Sequence, residues 1–163
     1  MACDARAGIG HKDAPIPWDC PEDRAFFRGI IGSSALIMGH KTYATFSPSF
    51  KCGRKIFLFS KTLLELPDTV PTVLVNSWTH FERLCLPSPT FMIGGSEIAS
   101  LFFEKQALWY FILSHIHGGP YASDRFLHTL PLHTWSCHTL YTSYGFTVKS
   151  YKNPLPSFQN RFL

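Results

Sequence analysis

The sequence predicts an α/β domain in which helices flank a mostly parallel β-sheet. Short apolar runs without a polar face recur along the chain, as expected for strands that are buried on both sides. Between them lie segments whose apolar residues recur at helical spacing and which open with Pro or Ser. With 163 residues, 45% hydrophobic and 16% charged, the chain has the length and composition of one globular domain.

The elements follow from these patterns in chain order. Strands are predicted over 35–39 (ALIMG), 55–60 (KIFLFS), 72–75 (TVLV), 90–95 (TFMIGG) and 109–116 (WYFILSHI). Helices are predicted from Pro21, over 78–84 behind the N-cap Ser77, and over 96–103 from Ser96. The tail segment 141–151 (YTSYGFTVKSY) alternates between apolar and polar residues, which predicts an antiparallel edge strand or hairpin.

The helix that starts at Pro21 carries an acid where an apolar residue is expected. Glu22 and Asp23 suit the positive end of the helix dipole, but Asp23 also shares a face with Phe27 and Ile30, four and seven residues on. An unpaired buried carboxylate is unfavourable. Asp23 is therefore either a first-turn cap at the edge of the buried stripe or a group that meets a ligand.

Composition disfavours several classes of partner. The net charge of +4 comes from dispersed Lys and Arg with no run of five like charges, so a nucleic-acid partner is not predicted. The longest apolar run, 107–113, is far shorter than the roughly 20 residues that cross a bilayer, and no secretory signal is visible. The five cysteines are scattered and form no CxxC pair, which predicts reduced thiols in a cytoplasm.

Eight histidines raise the possibility of a metal site. The candidates are His115 with His117 in the strand, and the cluster His128, His133 and His138. No Cys or carboxylate accompanies them at a zinc-like spacing, so no metal is predicted.

Ligands of parallel sheets bind at the carboxyl ends of strands. That rule brings together the ranges Gly39–Thr42, Ser60–Lys61, Gly94–Glu97 and the residue Ser114. Glycines there would let backbone N–H groups approach a phosphate at a helix start. The alternative is that these strands end in glycine only because turns require it.

A set of short motifs, in family order, resembles dihydrofolate reductase over most of the chain. The motifs are GIG (8–10), PWDCPED (17–23) with Phe27, IMGHKTY (37–43), GRK (53–55), MIGGSEI (92–98) and LSHI (113–116). The resemblance implies a three-layer α/β fold with a central sheet of about eight strands, mostly parallel, whose C-terminal strand is antiparallel. It also implies one domain over 1–163, with an adenosine-binding subdomain at about 35–90 and a loop and substrate subdomain in the remainder.

The implied activity is reduction of 7,8-dihydrofolate to 5,6,7,8-tetrahydrofolate by NADPH, for one-carbon and thymidylate metabolism. A hydride goes to C6 and a proton to N5. The family context further implies a cytoplasmic monomer that is inhibited by antifolates and has neither a nucleic-acid nor a membrane partner.

The resemblance assigns the substrate site. Asp23 would accept hydrogen bonds from the pterin ring N–H and 2-amino group, Ser114 would hydrogen-bond this acid, and Trp18 would hold a water beside it. Arg54 would bind the α-carboxylate of the substrate's glutamate in a bidentate manner. The other substrate-binding positions are Ala2, Phe27, Phe46, Phe50 and Ile93, and Arg24 is a further candidate although it departs from the family pattern.

The resemblance also assigns the NADPH site. Ala2, Ile9 and Ile16 would surround the nicotinamide, and the Gly94–Gly95 peptide would be cis. The pyrophosphate would lie against Gly39, Thr42 and the range 95–98, that is Gly95, Ser96, Glu97 and Ile98. Lys41, Ser60 and Lys61 would hold the 2′-phosphate end, and Gly10, His40 and Ile93 complete the set.

Departures from the family pattern leave some points open. His40 replaces a frequent Arg and Glu97 would repel phosphate, so the preference for NADPH over NADH is uncertain from the sequence. Arg24 either attracts the glutamate tail at a pocket rim or points to solvent, and Ala99 would leave the nicotinamide side more open. Only Met1 precedes the motif at Ala2, so we expect either a start upstream or an unusually short first strand.

Two other functional classes fit parts of the pattern. The first is a pyrimidine reductase or another pterin reductase on the same architecture. Its substrate would have no carboxylate for Arg54 to bind. A non-catalytic folate or nucleotide binder would not need Asp23, Trp18, Ser114 and the Gly94–Gly95 pair together.

Overall fold

The computed structural model describes residues 1–11, 16–62, 66, 70–127 and 132–157. Its strands are β1 (Ala2–Cys3), β2 (Gly8–Gly10), β3 (Ala35–Gly39), β4 (Ile56–Phe59), β5 (Thr72–Val75), β6 (Thr90–Gly94), β7 (Tyr110–Ile116), β8 (Arg125–Phe126), β9 (Ser136–Thr142) and β10 (Phe146–Lys152). Its α-helices are α1 (Pro21–Ile31), α2 (His40–Thr45), α3 (Pro48–Lys51), α4 (Trp78–Glu82) and α5 (Ser96–Glu104), with one 3-10 turn at Leu132–Thr134. No described helix is both long and apolar enough to span a bilayer.

The chain divides into two units. The first unit comprises Met1–Ile30 and the described chain from Ser100 onward, and the second unit comprises Ile31–Ala99. The strands join into two four-stranded sheets and a two-stranded ribbon. The predicted α/β architecture is confirmed, whereas one continuous sheet of about eight strands and an adenosine-binding subdomain at 35–90 stay predictions.

The second unit contains a fully parallel sheet in the order β5-β4-β3-β6. Its central strands are buried on both faces, with Leu36 and Ile56 at 0% exposure on one face and Ile37 and Phe57 at 3% and 1% on the other. Uniform burial explains why these strands read as uninterrupted apolar runs in the sequence. The four strands predicted between residues 35 and 95 are confirmed to within two residues at each end.

The first unit contains a mixed sheet in the order β1-β7-β10-β9. Strand β1 runs parallel to β7, whereas β10 is antiparallel to both β7 and β9. The hairpin predicted from alternation is therefore confirmed, and its inward residues Phe146 and Val148 are both at 0% exposure. A bulge between Val148 and Lys149 shifts the register against β9.

Helix starts follow the capping rules. The Ser77 hydroxyl accepts a hydrogen bond from the His80 N–H at 3.2 Å at the start of α4, as predicted, and α5 begins at Ser96. In α1 the fully buried residue is Ile31, while Asp23, Phe27 and Ile30 are half-buried. The predicted face of α1 thus lies at the margin of the core.

Candidate active site

The Asp23 side chain lies in the first turn of α1 and is half-buried. Among the described residues, no group donates a hydrogen bond to its carboxylate and no cation pairs with it. Burial lowers the pKa of the Met1 amino group, and the negative charge of Asp23 partly opposes that shift. The Asp23 charge therefore raises the pKa of the amino group that precedes β1. Both carboxylate oxygens lack a hydrogen-bond donor among the described residues.

Strand pairing brings two other predicted residues close to this region. Ala2 of β1 lies directly opposite Ser114 of β7, and the Ser114 N–H donates to the Met1 carbonyl at 2.8 Å. Ser114 is buried, at 5% exposure. The hydroxyl predicted to support Asp23 is thus placed on the strand next to β1.

Trp18 belongs to a buried cluster of the first unit. The cluster consists of Trp18, Cys20, Ile116, Phe146 and Val148, with Ala2, Phe26, Ile112 and Tyr121 packed against it. The Trp18 ring lies 5.7 Å from the Tyr121 ring at 58°. The two predicted site residues Ala2 and Trp18 therefore share one apolar environment.

The loop residues predicted to surround the nicotinamide differ in exposure. Ile9 is half-buried in β2, whereas Ile16 is 62% exposed. Gly10 has a φ of +130°, a conformation that favours glycine, and its carbonyl accepts the Asp124 N–H at 3.1 Å. The structure assigns Ile9 and Gly10 to a paired strand and leaves Ile16 at the surface.

The two-stranded ribbon was missed by the sequence reasoning. Gly8 pairs with Phe126 and Gly10 with Arg125, across more than a hundred residues of chain. Strands this short carry no hydrophobic period that a sequence pattern could reveal. In the fold, β8 holds β2 through this pairing.

Asp4 is a second feature that sequence reasoning missed. It is 2% exposed, and its carboxylate accepts the backbone N–H groups of Arg6, Gly8 and Tyr121 at 2.9, 2.8 and 3.0 Å. Burial would raise the pKa of this carboxyl, but those hydrogen bonds, with the Arg6 charge, lower the pKa below its usual value. An Asp just after a strand is the usual signal for such a turn.

In the second unit, four residues predicted to hold the pyrophosphate pack against one another. A Cβ added at Gly39 would lie 3.2 Å from Ile98 Cγ1, and one added at Gly95 would lie 3.3 Å from Thr42 Oγ1. The Gly94–Gly95 peptide is cis, as the resemblance implied. Glycines at both strand ends thus keep backbone and helix starts in close approach.

Helix starts and charges complete this strand-end group. Helix α2 begins at His40 and α5 at Ser96, so the first N–H groups of each lack intrahelical partners. Lys41 is exposed and would attract phosphate. Glu97 is exposed in the first turn of α5, where it suits the helix dipole but opposes an anionic ligand. Ile93 is half-buried in β6.

The predicted pair Ser60 and Lys61 separates into two environments. Ser60 is 6% exposed, and its hydroxyl donates to the Thr62 carbonyl at 2.9 Å and accepts the Thr62 N–H at 3.2 Å. Lys61 is exposed. The hydroxyl stabilises its own turn, so the lysine is the member of the pair that is presented to solvent.

Arg54 is held at the end of an aromatic wall. Its Nε donates to the Phe50 carbonyl at 2.9 Å and its Nη1 to the Ser34 carbonyl at 3.3 Å. The guanidinium lies 4.8 Å from the centre of the Phe50 ring, which stacks on Phe46 at 4.2 Å. These contacts fix the guanidinium plane and leave part of its N–H donors free among the described residues.

Arg24 takes the solvent-facing alternative. Its Nη1 pairs with Asp19 Oδ1 at 2.6 Å, with the two side chains 55% and 81% exposed. Exposed pairs of this kind contribute little to stability. The substrate-binding role suggested for Arg24 has no support from this geometry and stays a prediction.

His115 in β7 and His117, which directly follows that strand, have separate partners. His115 Nε2 lies 3.2 Å from the Tyr151 hydroxyl, whereas His117 contacts the Tyr144 carbonyl and the Thr147 hydroxyl. Burial lowers the pKa of His115, helped by the charges of Lys149 and His117. Across the described ranges, no three His, Cys, Asp or Glu side chains are grouped as metal ligands. Of the other candidate cluster, His133 and His138 are exposed, and His128 lies outside the described residues.

The fold places the chain among α/β proteins with parallel strands, a class in which ligands usually bind at the carboxyl ends of those strands. Within that class, the dihydrofolate reductase family model matches residues 1–153, so the chain belongs to the dihydrofolate reductase family. It is 29% identical over 102 residues to dihydrofolate reductase type 9 of Escherichia coli, covering 63% of this chain and 54% of that protein. It is 30% identical over 104 residues to dihydrofolate reductase of Bacillus subtilis (strain 168), covering 63% and 60%. The matched region spans between about half and three fifths of these relatives.

Proposed function

We propose that this protein reduces 7,8-dihydrofolate to 5,6,7,8-tetrahydrofolate with NADPH as the reductant. The observation that carries the proposal is Asp23, a half-buried carboxylate on α1 that accepts no hydrogen bond from the described chain. A partly desolvated carboxylate with both oxygens available matches a planar ligand that offers two N–H donors side by side. The pterin ring N–H and 2-amino group are such donors.

Asp23 orients the pterin and favours the developing positive charge when N5 takes a proton from water. The carboxylate does not transfer the proton itself, so it acts electrostatically. Trp18 and Ala2 supply the apolar environment beside it, and Ser114 supplies a hydroxyl on the neighbouring strand. Lower local polarity strengthens the effect of the Asp23 charge.

The second unit contains residues that fit a dinucleotide. The positions Gly39 and Gly95 are close-packed against Ile98 and Thr42, so glycine at both positions lets the strand ends lie close to the helix starts, whose free N–H groups suit a pyrophosphate. When bound, NADPH supplies the hydride that reaches C6 of the substrate. Lys41 and Lys61 would bind its 2′-phosphate, since both are exposed cations.

The glutamate tail of the substrate is assigned to Arg54. Its guanidinium is held by two backbone carbonyls and the Phe50 ring, so little conformational entropy is lost when it binds a carboxylate. A pyrimidine or simple pterin substrate has no such carboxylate. Arg54 therefore favours a folate over the substrates of the related reductases.

The wider context is proposed on the same grounds. We assign the protein to the cytoplasm as a monomer, where five free cysteines suit a reducing environment, and we expect antifolates that mimic the pterin donors to inhibit it.

The test is the absorbance at 340 nm of purified protein with dihydrofolate and either NADPH or NADH. Loss of absorbance that requires dihydrofolate and stops on adding a diaminopyrimidine antifolate is the expected result. The ratio of the NADPH and NADH rates measures the cofactor preference that His40 and Glu97 left open in the sequence. A folded protein that binds folate without oxidising either nucleotide would overturn the proposal in favour of a binding protein.

A further inference from the structure

The first unit holds a buried carboxylate, Asp4, that takes no direct part in the proposed reaction. Its Oδ1 accepts the N–H groups of Arg6 and Gly8 within its own turn. Its Oδ2 accepts the N–H of Tyr121, which lies 117 residues further along the chain. Asp4 therefore connects the turn between β1 and β2 to the segment that precedes β8.

The same two segments are joined by further contacts. Arg6 Nη2 donates to the Tyr121 carbonyl at 2.9 Å, so both backbone polar groups of Tyr121 are bound by the turn. A Cβ at Gly8 would lie 2.6 Å from Ser123 Oγ and 3.0 Å from Asp4 Oδ1, so the turn has room only for glycine there. These contacts form a close-packed junction between the turn at residues 4–8 and the segment at residues 121–123. The buried Asp4 carboxylate lies at its centre.

Two paths lead from this junction to residues of the candidate site. The Tyr121 ring packs against Trp18, and both belong to the apolar environment that includes Ala2. Gly8 opens β2, which continues into Ile9 and Gly10. A change at Asp4 would displace the indole beside the pterin and the strand beside the nicotinamide together.

We propose that Asp4 is a positioning residue that sets Trp18, through Tyr121, and β2, through Gly8. Its catalytic consequence rests on the proposed function, whereas the positioning itself does not. The carboxylate is suited to this role because its two oxygens bind three backbone N–H groups from two distant segments, which neutral side chains of similar size cannot do. Asparagine keeps one acceptor oxygen for Arg6 and Gly8 but turns an amide N–H towards the Tyr121 N–H.

The experiment compares Asp4→Asn with Glu104→Gln, a control that neutralises a 70% exposed carboxylate of the same unit. In Asp4→Asn, amide hydrogen exchange at Tyr121 should accelerate about tenfold or more, since its N–H loses a buried acceptor. The kcat per antifolate-titrated site should fall about tenfold, because small misplacement of reacting groups is costly, while KM for dihydrofolate changes less than twofold. The control should change none of these values.

Each outcome decides the inference. A purely structural role would lower Tm and the titrated fraction but leave kcat per titrated site unchanged, and that result would overturn the positioning role. Unchanged exchange at Tyr121 would overturn the connection itself. If Asp4→Asn does not fold, Arg6→Ala, which removes the parallel bond to the Tyr121 carbonyl from an exposed side chain, must show the same pattern at smaller size. If the wild type oxidises no nucleotide, the proposed function fails, and exchange at Tyr121 with the Trp18 indole NMR shift still decides the positioning.

Discussion

Asp4, in the turn after β1, and Asp23, in the first turn of α1, are both partly or wholly withdrawn from water, yet only Asp4 has its oxygens bound by the chain. Asp4 accepts three backbone N–H groups, whereas Asp23 accepts none from the described residues. A carboxylate whose acceptors are satisfied stabilises the protein, and one whose acceptors are free can bind a ligand. The contrast predicts that Asp4 positions the chain and that Asp23 binds a ligand, without reference to any relative.

The same contrast appears among polar side chains of the second unit. The Ser60 hydroxyl is bound within its own turn, while the neighbouring Lys61 side chain is exposed. Arg54 combines both states, since carbonyls fix its plane while some of its donors have no partner among the described residues. Substitutions on the two sides of this contrast should therefore affect different measurable quantities.

The largest effect is expected at Asp23. Asp23→Asn should lower kcat/KM for dihydrofolate about a hundredfold or more, because the electrostatic support for protonation at N5 is lost. Tm should be nearly unchanged, since no hydrogen bond within the described chain is removed. Glu22→Gln, in the same helical turn but exposed, is the matched control. A large fall in Tm with normal kcat/KM would show that Asp23, like Asp4, stabilises the fold, and would contradict its assignment as a ligand-binding group.

Arg54→Lys should have the next largest effect. Loss of the bidentate contact should raise KM for dihydrofolate about tenfold or more, with a much smaller loss of affinity for an antifolate that lacks a glutamate. Steady-state kinetics and inhibitor titration measure the two changes. Arg83→Lys, an exposed arginine of the same unit, should change neither. Equal losses of affinity for dihydrofolate and for the antifolate would mean that Arg54 only holds the Phe50 ring in place.

Lys61→Ala sharpens the comparison with Ser60. The ratio of kcat/KM for NADPH over NADH should fall about fivefold, the size expected for one exposed charge pair. The effect should shrink at high salt, because exposed charges are screened. Lys152→Ala, an exposed lysine of the first unit, serves as the control. An unchanged ratio would assign cofactor preference to other residues.

The pH dependence of stability should reveal Asp4. Because its pKa is lowered in the folded state, its contribution is fully present above the ordinary pKa of about 3.9 and is lost as the pH falls below that value. The urea midpoint of the wild type should therefore fall as the pH is lowered below about 4. The urea midpoint of Asp4→Asn should fall less steeply over the same range. Parallel slopes for the two proteins would contradict the lowered pKa, and Glu104→Gln should follow the wild type.

Much of the fold was predictable because its signals are local. The buried strands of the second unit read as apolar runs, Ser77 and Ser96 mark helix starts, and alternation marks the β9–β10 hairpin. Each depends on residues within a few positions of one another. The short helices α2 and α3 were not predicted, since four to six residues are too few to show a helical period.

The sequence predicted which residues belong to the candidate site. It did not predict the burial or the hydrogen-bond partners of each side chain. Motif order gave Asp23, Arg54 and the Gly94–Gly95 pair by resemblance, and the cis peptide was found there. Whether a named side chain was available to a ligand was a separate matter. Ser60 was assigned to the 2′-phosphate by resemblance, and Arg24 was a candidate for the glutamate tail. The Ser60 hydroxyl is instead bound to Thr62, and the Arg24 Nη1 is paired with Asp19.

Sequence alone was sufficient for the α/β class, the positions of the longer strands along the chain and the family resemblance, because each rests on composition, short periodicity or contiguous motifs. Only the tertiary structure could pair β2 with β8 and bring the Tyr121 N–H to Asp4, since 117 residues separate those partners. Hydrogen-bond satisfaction of a buried group depends on which distant segments reach it. That is why the role of the Asp4 carboxylate became visible only once its neighbours in space were known.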